Sequence, residues 1–277
     1  AIRGGTLDNY PDAPGLERGW DVMRIIKESG ADVMIDISVS NLQDAQPSLS
    51  YFQAALAAGQ HIVTANKGPI ALAYAELQAS ARQVSRQIRF EGTVMAGTPA
   101  LSLARESLAG VGIRSARGIF NGTTNYMLTQ MESGMSYEEA LTTAQALGYA
   151  EADPTADVDG WDAASKVLIL ASALFGQKLS LADLDVTGIS GITSDMITEA
   201  QAANERWKLI AEVTPQGGSV KPHRVHISDP LAGVGGATNA ITYSTDLMGD
   251  VTLVGAGAGS QETAFALLAD LLAIHRS

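Results

Sequence analysis

The sequence predicts an α/β protein of two lobes: a doubly wound lobe with parallel strands, and an α+β lobe inserted into it. Three observations carry this. Between Ala31 and Thr93 short apolar runs alternate with helical patterns, which implies parallel pairing with helices on both faces. Between Trp207 and Val254 four strand-like runs follow one another without long helices between them, which implies an antiparallel sheet. The 277 residues also reach the size at which a single core stops growing, roughly 250 to 300 residues.

The run Ala31 to Ser38 reads as a strand ending in a small polar residue, and a helix follows from Ser48 to Ala58, closed by Gly59. His61 to Ala65 is the next strand. After Lys67-Gly68-Pro69 a helical pattern runs from Ile70 to Ser85, and Ile88 to Thr93 is a third strand. Ser38 and Lys67 fall at the carboxyl ends of strands, where ligands of doubly wound sheets sit. From Gly97 the pattern changes to a helix over Ala100 to Leu108, a strand over Arg114 to Phe120 and a helix over Thr123 to Glu132. Ser136 and Glu139 have capping-box spacing and open a helix that runs to Gly148. The helix from Gly160 to Phe175 is apolar on every face from Val167 onward and should be buried. Trp207 to Val213, Val220 to Ile227, Ala240 to Ser244 and Val251 to Val254 supply the second sheet, and Gln261 to Ile274 the last helix.

Composition excludes several function classes. No apolar run approaches the ~18 residues of a membrane span. The chain has no cysteine, so disulfides, iron–sulfur clusters and thiolate zinc sites are excluded, which fits a cytoplasmic protein. A formal charge of -12 without a basic cluster opposes binding to nucleic acid. The four histidines offer one His-x-x-His pair, His223 and His226, beside Pro222 in a strand, and they read as surface residues rather than metal ligands.

The segment Gly148 to Lys166 is the most informative. It packs five acids into the twelve residues from Glu151 to Asp162 and then enters the apolar helix. Asp162 and Lys166, spaced i, i+4, share a helical face. One reading is an exposed ion pair with Asp159 capping the helix. The other follows from the apolar turns beyond: Asp162 and Lys166 line a cavity between lobes, where a lysine could transfer a proton and carboxylates could hold an ammonium group.

The pattern Gly148-x-x-Glu151-x-Asp153-Pro154-x-x-Asp157, followed by Gly160-x-Asp162 and then Lys166, resembles the signature of homoserine dehydrogenases. Thr64-Ala65-Asn66-Lys67, Glu91 to Pro99, Gly118 to Tyr126 and Gly255-Ala256-Gly257-Ala258-Gly259 are similar to further motifs of that family in the same order, so the resemblance spans nearly the whole chain. It implies NAD(P)-dependent interconversion of L-homoserine and L-aspartate 4-semialdehyde, in threonine, methionine and isoleucine biosynthesis, by a homodimer. Another semialdehyde dehydrogenase would not be expected to keep the 148 to 166 segment, and a catalytically dead paralogue would not be expected to keep both lysines and the acids.

Residue by residue, the resemblance makes Lys166 the acid/base group with Asp162 beside it. Glu151, Asp157 and the Tyr149 backbone would orient the amino-acid end, and Gly122 and Thr123 would contact substrate. Lys67 would lie between nicotinamide and substrate, as an alternative proton carrier. Ser38 and Gly259 would meet the NADP or NAD cofactor. Glu91 with the carbonyls of Val94, Ala96 and Thr98 resembles a structural site for a sodium-like monovalent cation, although Thr98 stands where the family is often apolar. The glycines from Gly255 to Gly259 miss the G-x-G-x-x-G spacing, because Ser260 holds the last place.

The resemblance implies a Rossmann-type nucleotide-binding lobe over residues 1–95 and 251–277, and a catalytic and dimerisation lobe over 96–250. Aspartate kinase and appended regulatory domains are not expected. A dinucleotide site needs a Gly-rich turn after its first strand. Ala1-Ile2-Arg3-Gly4-Gly5 resembles instead the family just after its second strand, where Arg3 would favour a 2′-phosphate. A β-α-β segment of roughly 30 residues is therefore expected to be missing. The sheet should be incomplete, with an exposed apolar edge at Val33 to Ile37, and should carry no intact dinucleotide site.

Overall fold

In the computed structural model, which describes residues 19–277, a short helix α1 (Val22–Glu28) leads into the first sheet. Asp21 caps α1 by accepting the Arg24 N–H. β1 (Val33–Asp36), α2 (Ser48–Ala57), β2 (His61–Thr64), α3 (Lys67–Gln83) and β3 (Ile88–Arg89) then alternate as expected. The strands pair in parallel in the order β1-β2-β3, with Val33 opposite His61 and Ile62 opposite Ile88. β1 is the sheet edge among the described residues, and Ile35 and Ile37 are exposed while Val33 and Met34 are half-buried.

Two boundaries in this lobe differ from the sequence reading. α3 starts at Lys67, because the Asn66 side chain caps it by accepting the Gly68 N–H at 2.9 Å and Pro69 sits in the first turn, where no N–H is needed. The third strand ends at Arg89, and Glu91–Thr93 form a 3-10 turn. The Glu91 N–H there donates to buried Asp270 at 2.8 Å, so it is not free to continue a ladder, and the Glu91 carboxylate accepts from the Leu101 and Ser102 N–H groups at 2.8 and 2.7 Å.

Beyond it, α4 (Ala100–Ser102) widens into a π-helical turn (Leu103–Ser107). β4 (Ile113–Ile119), α5 (Gly122–Glu132), α6 (Tyr137–Ala146), a single turn α7 (Thr155–Val158) and α8 (Trp161–Phe175) follow. Ser136 and Glu139 form the expected capping box on α6. α8 is buried on every face from Ala163 to Ala171, then half-buried to Phe175. Its N-cap is Gly160 at φ +89, a left-handed conformation with Val186 and Val220 filling the space of a side chain, so Asp159 does not cap it.

β5 (Asp185–Val186), α9 (Ser194–Ala202), β6 (Glu205–Thr214), β7 (Gly217–His226), β8 (Thr238–Thr245) and β9 (Asp250–Ala256) complete a second sheet in the order β5-β7-β6-β4-β8-β9. Its pairings are antiparallel except β5 with β7. The strand at Val251 to Val254, expected with the nucleotide-binding lobe, instead pairs with β8 from Ser244 opposite Asp250 to Thr238 opposite Ala256. Only the last helix, α10 (Ser260–Arg276), returns to the first sheet, packing on β2 and the Glu91–Thr93 turn. None of the described helices is long and apolar enough to cross a membrane, and no cluster of three or more His, Asp or Glu side chains among the described residues could hold a metal ion.

Candidate active site

A cleft of about 1260 Å³ opens between the two sheets. Ile37 and Ala65, at the carboxyl ends of β1 and β2, line one side. The 147–149 turn with Asp157, Asp162 and Lys166 lines another, and the Gly255–Gly259 loop with the start of α10 lines a third. The site thus falls at the carboxyl ends of parallel strands, where open α/β sheets bind ligands.

At its centre lies a charged triad. Lys166 is buried and its Nζ donates to Asp162 Oδ2 at 2.9 Å and to the Phe120 carbonyl at 2.5 Å. Lys67, at the start of α3, brings its Nζ to 3.4 Å from the other oxygen, Asp162 Oδ1. The Asp162–Lys166 pair is therefore part of a cleft wall and not a solvated surface pair. Burial alone would raise the Asp162 pKa, but the ammonium groups of Lys166 and Lys67 hold the carboxyl well below the usual carboxylate range. Asp157 has the opposite balance: burial pushes it up, helped by the charge of Asp162, against a hydrogen bond from Asn121. Two neighbouring carboxylates are thereby driven apart in acidity, a pattern that accompanies binding and catalytic sites.

The helix starts that carry these groups are built locally. Asn121 caps α5 through its Oδ1, and places Gly122 and Thr123 in the cleft. The Thr123 hydroxyl donates to the Tyr149 carbonyl at 2.6 Å, which ties α5 to the acidic segment. Asn66 donates to the hydroxyls of Ser38 and Ser48 at 3.1 and 3.0 Å while capping α3, so it fixes the approach of Lys67.

The Gly255–Gly259 loop is tightly supported. A β-carbon at Gly255 would collide with the Thr98 hydroxyl, one at Gly257 with the Asn239 amide and one at Gly259 with the Glu262 carboxylate. α10 begins at Ser260 with no side-chain cap, leaving its first N–H groups for a ligand. Alternate glycines and an uncapped helix start suit the diphosphate of a dinucleotide.

Several expected site residues converge and others do not. Lys67, Lys166, Asp162, Asp157, Tyr149, Gly122, Thr123 and Gly259 line the cleft. Glu151 does not; its side chain is exposed beyond the 147–149 turn. Ser38 is also outside the lining, its hydroxyl engaged by Ser48 and Asn66, and adjacent Ile37 takes its place. Arg3 lies outside the described residues. Val94 and Ala96 line the cleft floor, and Ala96 is left-handed at φ +46. The Glu91 carboxylate does not meet them, because it caps α4 and also accepts from the Ser102 hydroxyl. Sequence reasoning missed Asn66, Asn121 and Asp270. An asparagine two residues before Gly68 or three before Thr124 is a helix-cap signal that was available; Asp270, buried in the last helix and pushed up to about 7 by burial and by the charge of Glu91, had none.

The sequence profile of the homoserine dehydrogenase family matches residues 99–272. The chain is 46% identical to an NAD(+)-dependent homoserine dehydrogenase of Pseudomonas canavaninivorans, over 100% of this chain and 77% of that protein. Among solved structures, a homoserine dehydrogenase from Thiobacillus denitrificans superposes with a TM-score of 0.87 at 33% identity, covering 95% of this chain and 62% of that one. A hyperthermophilic archaeal homoserine dehydrogenase mutant in complex with NADPH superposes with a TM-score of 0.81 at 32% identity, covering 93% and 75%.

Proposed function

The chain belongs to the homoserine dehydrogenase family, and from that membership we propose how its own residues carry out the NAD(P)-dependent interconversion of L-homoserine and L-aspartate 4-semialdehyde. The nicotinamide cofactor, when bound, supplies or accepts the hydride. Lys166 gives a proton to the aldehyde oxygen in reduction and takes it back from the C4 hydroxyl in oxidation. Two of the three ammonium donors of Lys166 are held by Phe120 and Asp162, which leaves one for that oxygen. Lys67 is the more exposed of the two lysines and touches Asp162 only through a longer ion pair, which suits an electrostatic role between cofactor and substrate. The convergence of both lysines on Asp162 is the observation that carries this reading. Homoserine-dependent reduction of NAD and NADP, followed side by side, tests it: turnover with at least one is expected, and none with either overturns it.

The amino-acid end of homoserine is held beside Asn121, Gly122 and Thr123. Asp157 lines the cleft there and Glu151 does not, so Asp157 is the main carboxylate for the α-ammonium and Glu151 contributes at the mouth. Asp157→Asn is expected to raise the homoserine KM about tenfold or more, and Glu151→Gln by less, since charge-assisted hydrogen bonds are the stronger ones. Steady-state kinetics with saturating cofactor decides; an unchanged KM in Asp157→Asn removes that role. The Gly259 backbone and the start of α10 would hold the diphosphate, with Ser38 acting through Asn66 rather than by direct contact.

We place a monovalent cation on the carbonyls of Val94, Ala96 and Thr98 at the join of the sheets, with the Glu91 carboxylate supporting the site only from behind. Activity is then expected to vary with the identity of the monovalent cation at fixed ionic strength, and no variation among sodium, potassium and a bulky organic cation would refute it. A homodimer formed through the second lobe, a cytoplasmic location and a nucleotide-binding lobe of residues 1–95 with α10 complete the reading. Light scattering in solution tests the first of these.

A further inference from the structure

Asn121 has a second task besides capping α5. Its Oδ1 accepts the Thr124 N–H at 2.9 Å and the Thr124 hydroxyl at 3.0 Å, as an N-cap oxygen must. That fixes which way the amide faces, so the Nδ2 points away from the helix. It donates to Asp157 Oδ1 at 2.6 Å and to Asp162 Oδ2 at 3.1 Å. The residue itself is buried, 5% exposed, while both bonds lie at the cleft wall. One amide therefore joins a carboxylate of α7 to a carboxylate of α8, and its geometry is locked by a third element.

We propose that Asn121 is a positioning residue of the dehydrogenase site, an amide bridge that keeps Asp157 and Asp162 side by side as anions so that one can hold the substrate ammonium while the other anchors the lysines. The proposal rests on the reading of the site given above. The charged groups facing the pair are Lys67 from α3 and Lys166 from α8, and both lie on the Asp162 side. Asp162 thus has two ammonium partners. Asp157 has no ion pair with either lysine, is desolvated, and faces the charge of Asp162, so its main local support as an anion is the Asn121 N–H. Without that N–H, Asp157 would take up a proton at higher pH and lose its grip on an ammonium group.

Two variants separate this task from capping, since serine and aspartate cap helices about as well as asparagine. Asn121→Ser removes the bridge, and Asn121→Asp replaces it with a third negative charge. In both, the acid limb of kcat/KM for homoserine is expected to move to higher pH, by about one unit or more in Asn121→Asp. At a pH below the acid limbs of both proteins the homoserine KM should be about tenfold higher in Asn121→Asp than in the parent, one pKa unit being a factor of ten. Cofactor affinity, followed by nucleotide fluorescence, should stay close to that of the parent protein. Carbon-13 NMR of labelled aspartates, with Asp157→Asn as the assignment control, should show the Asp157 carboxyl titrating at higher pH in Asn121→Ser. An acid limb and an Asp157 titration that coincide with the parent in both variants would overturn the proposal, as would a parallel loss of cofactor affinity and homoserine affinity. Failure of the parent protein to oxidise homoserine would instead sink the reading of the site, while the NMR titration would still decide whether Asn121 governs Asp157.

Discussion

Lys166→Ala is expected to lower kcat by ~10² to 10⁴, the usual contribution of a positioned general acid or base, while cofactor affinity stays nearly unchanged. The size of the effect follows from how the ammonium is held. A lysine free in solvent must be caught in the right rotamer at the moment of proton transfer, whereas Lys166 is buried with bonds to Phe120 and Asp162 that fix its Nζ. Lys166→Arg is the sharper control. Arginine keeps a positive charge near Asp162 but does not give up its proton at ordinary pH, so charge alone should not rescue turnover. Lys67→Ala should cost less in kcat, because its link to Asp162 is the longer one at 3.4 Å. Single-turnover measurements at saturating cofactor report the chemical step directly. Near parental turnover in Lys166→Ala, or full rescue by arginine, would remove Lys166 as the proton carrier and move that role to Lys67.

The parts of this site that were legible in the sequence are those where a local pattern and a chemical need coincide. The helix of Asp162 and Lys166 has an i, i+4 pair at one end and no polar face beyond it, so its burial can be read from the pattern, while spacing alone leaves open whether the pair faces solvent or a cleft. The capping box at Ser136 and the closure of α2 at Gly59 were legible for the same reason. What failed depended on contacts distant in sequence. Ile88 to Thr93 has the composition of a strand, yet Glu91 is recruited by Leu101, Ser102 and Asp270, the last of them 179 residues away, and the strand stops. Val251 to Val254 pairs with β8 through a short turn and not with the parallel sheet, which its sequence could not show because a strand's sequence does not name its partner. The Gly255–Gly259 loop was legible as a place of close approach. That its glycines make room for Thr98, Asn239 and Glu262 required the fold.

Asp162→Asn should damage both turnover and stability, and for one reason. Asp162 is the common counter-ion of Lys67 and Lys166, at 3.4 and 2.9 Å, and removing its charge leaves two ammonium groups facing each other in a partly desolvated cleft. The two like charges then repel each other, with no anion at that point to oppose it. The basic limb of the pH profile for aldehyde reduction, which requires a protonated lysine, should therefore move to lower pH. Breaking a buried pair costs about 3 to 5 kcal/mol, and partial exposure of Lys67 and Asp162 reduces that to about 2. For a chain of this size such a loss lowers Tm by roughly 4 to 8 °C. The pH dependence has a definite sign. The folded Asp162 has a depressed pKa, so its contribution is fully present above the unfolded value near 3.8 and is lost only as pH falls below that, toward the folded value. The stability difference between Asp162→Asn and the parent protein should then be constant from pH 5 to neutrality and shrink only in acid. Differential scanning calorimetry across that range, paired with the pH profile of reduction, checks both halves. A variant with parental Tm and an unmoved basic limb would show that the two lysines do not depend on Asp162.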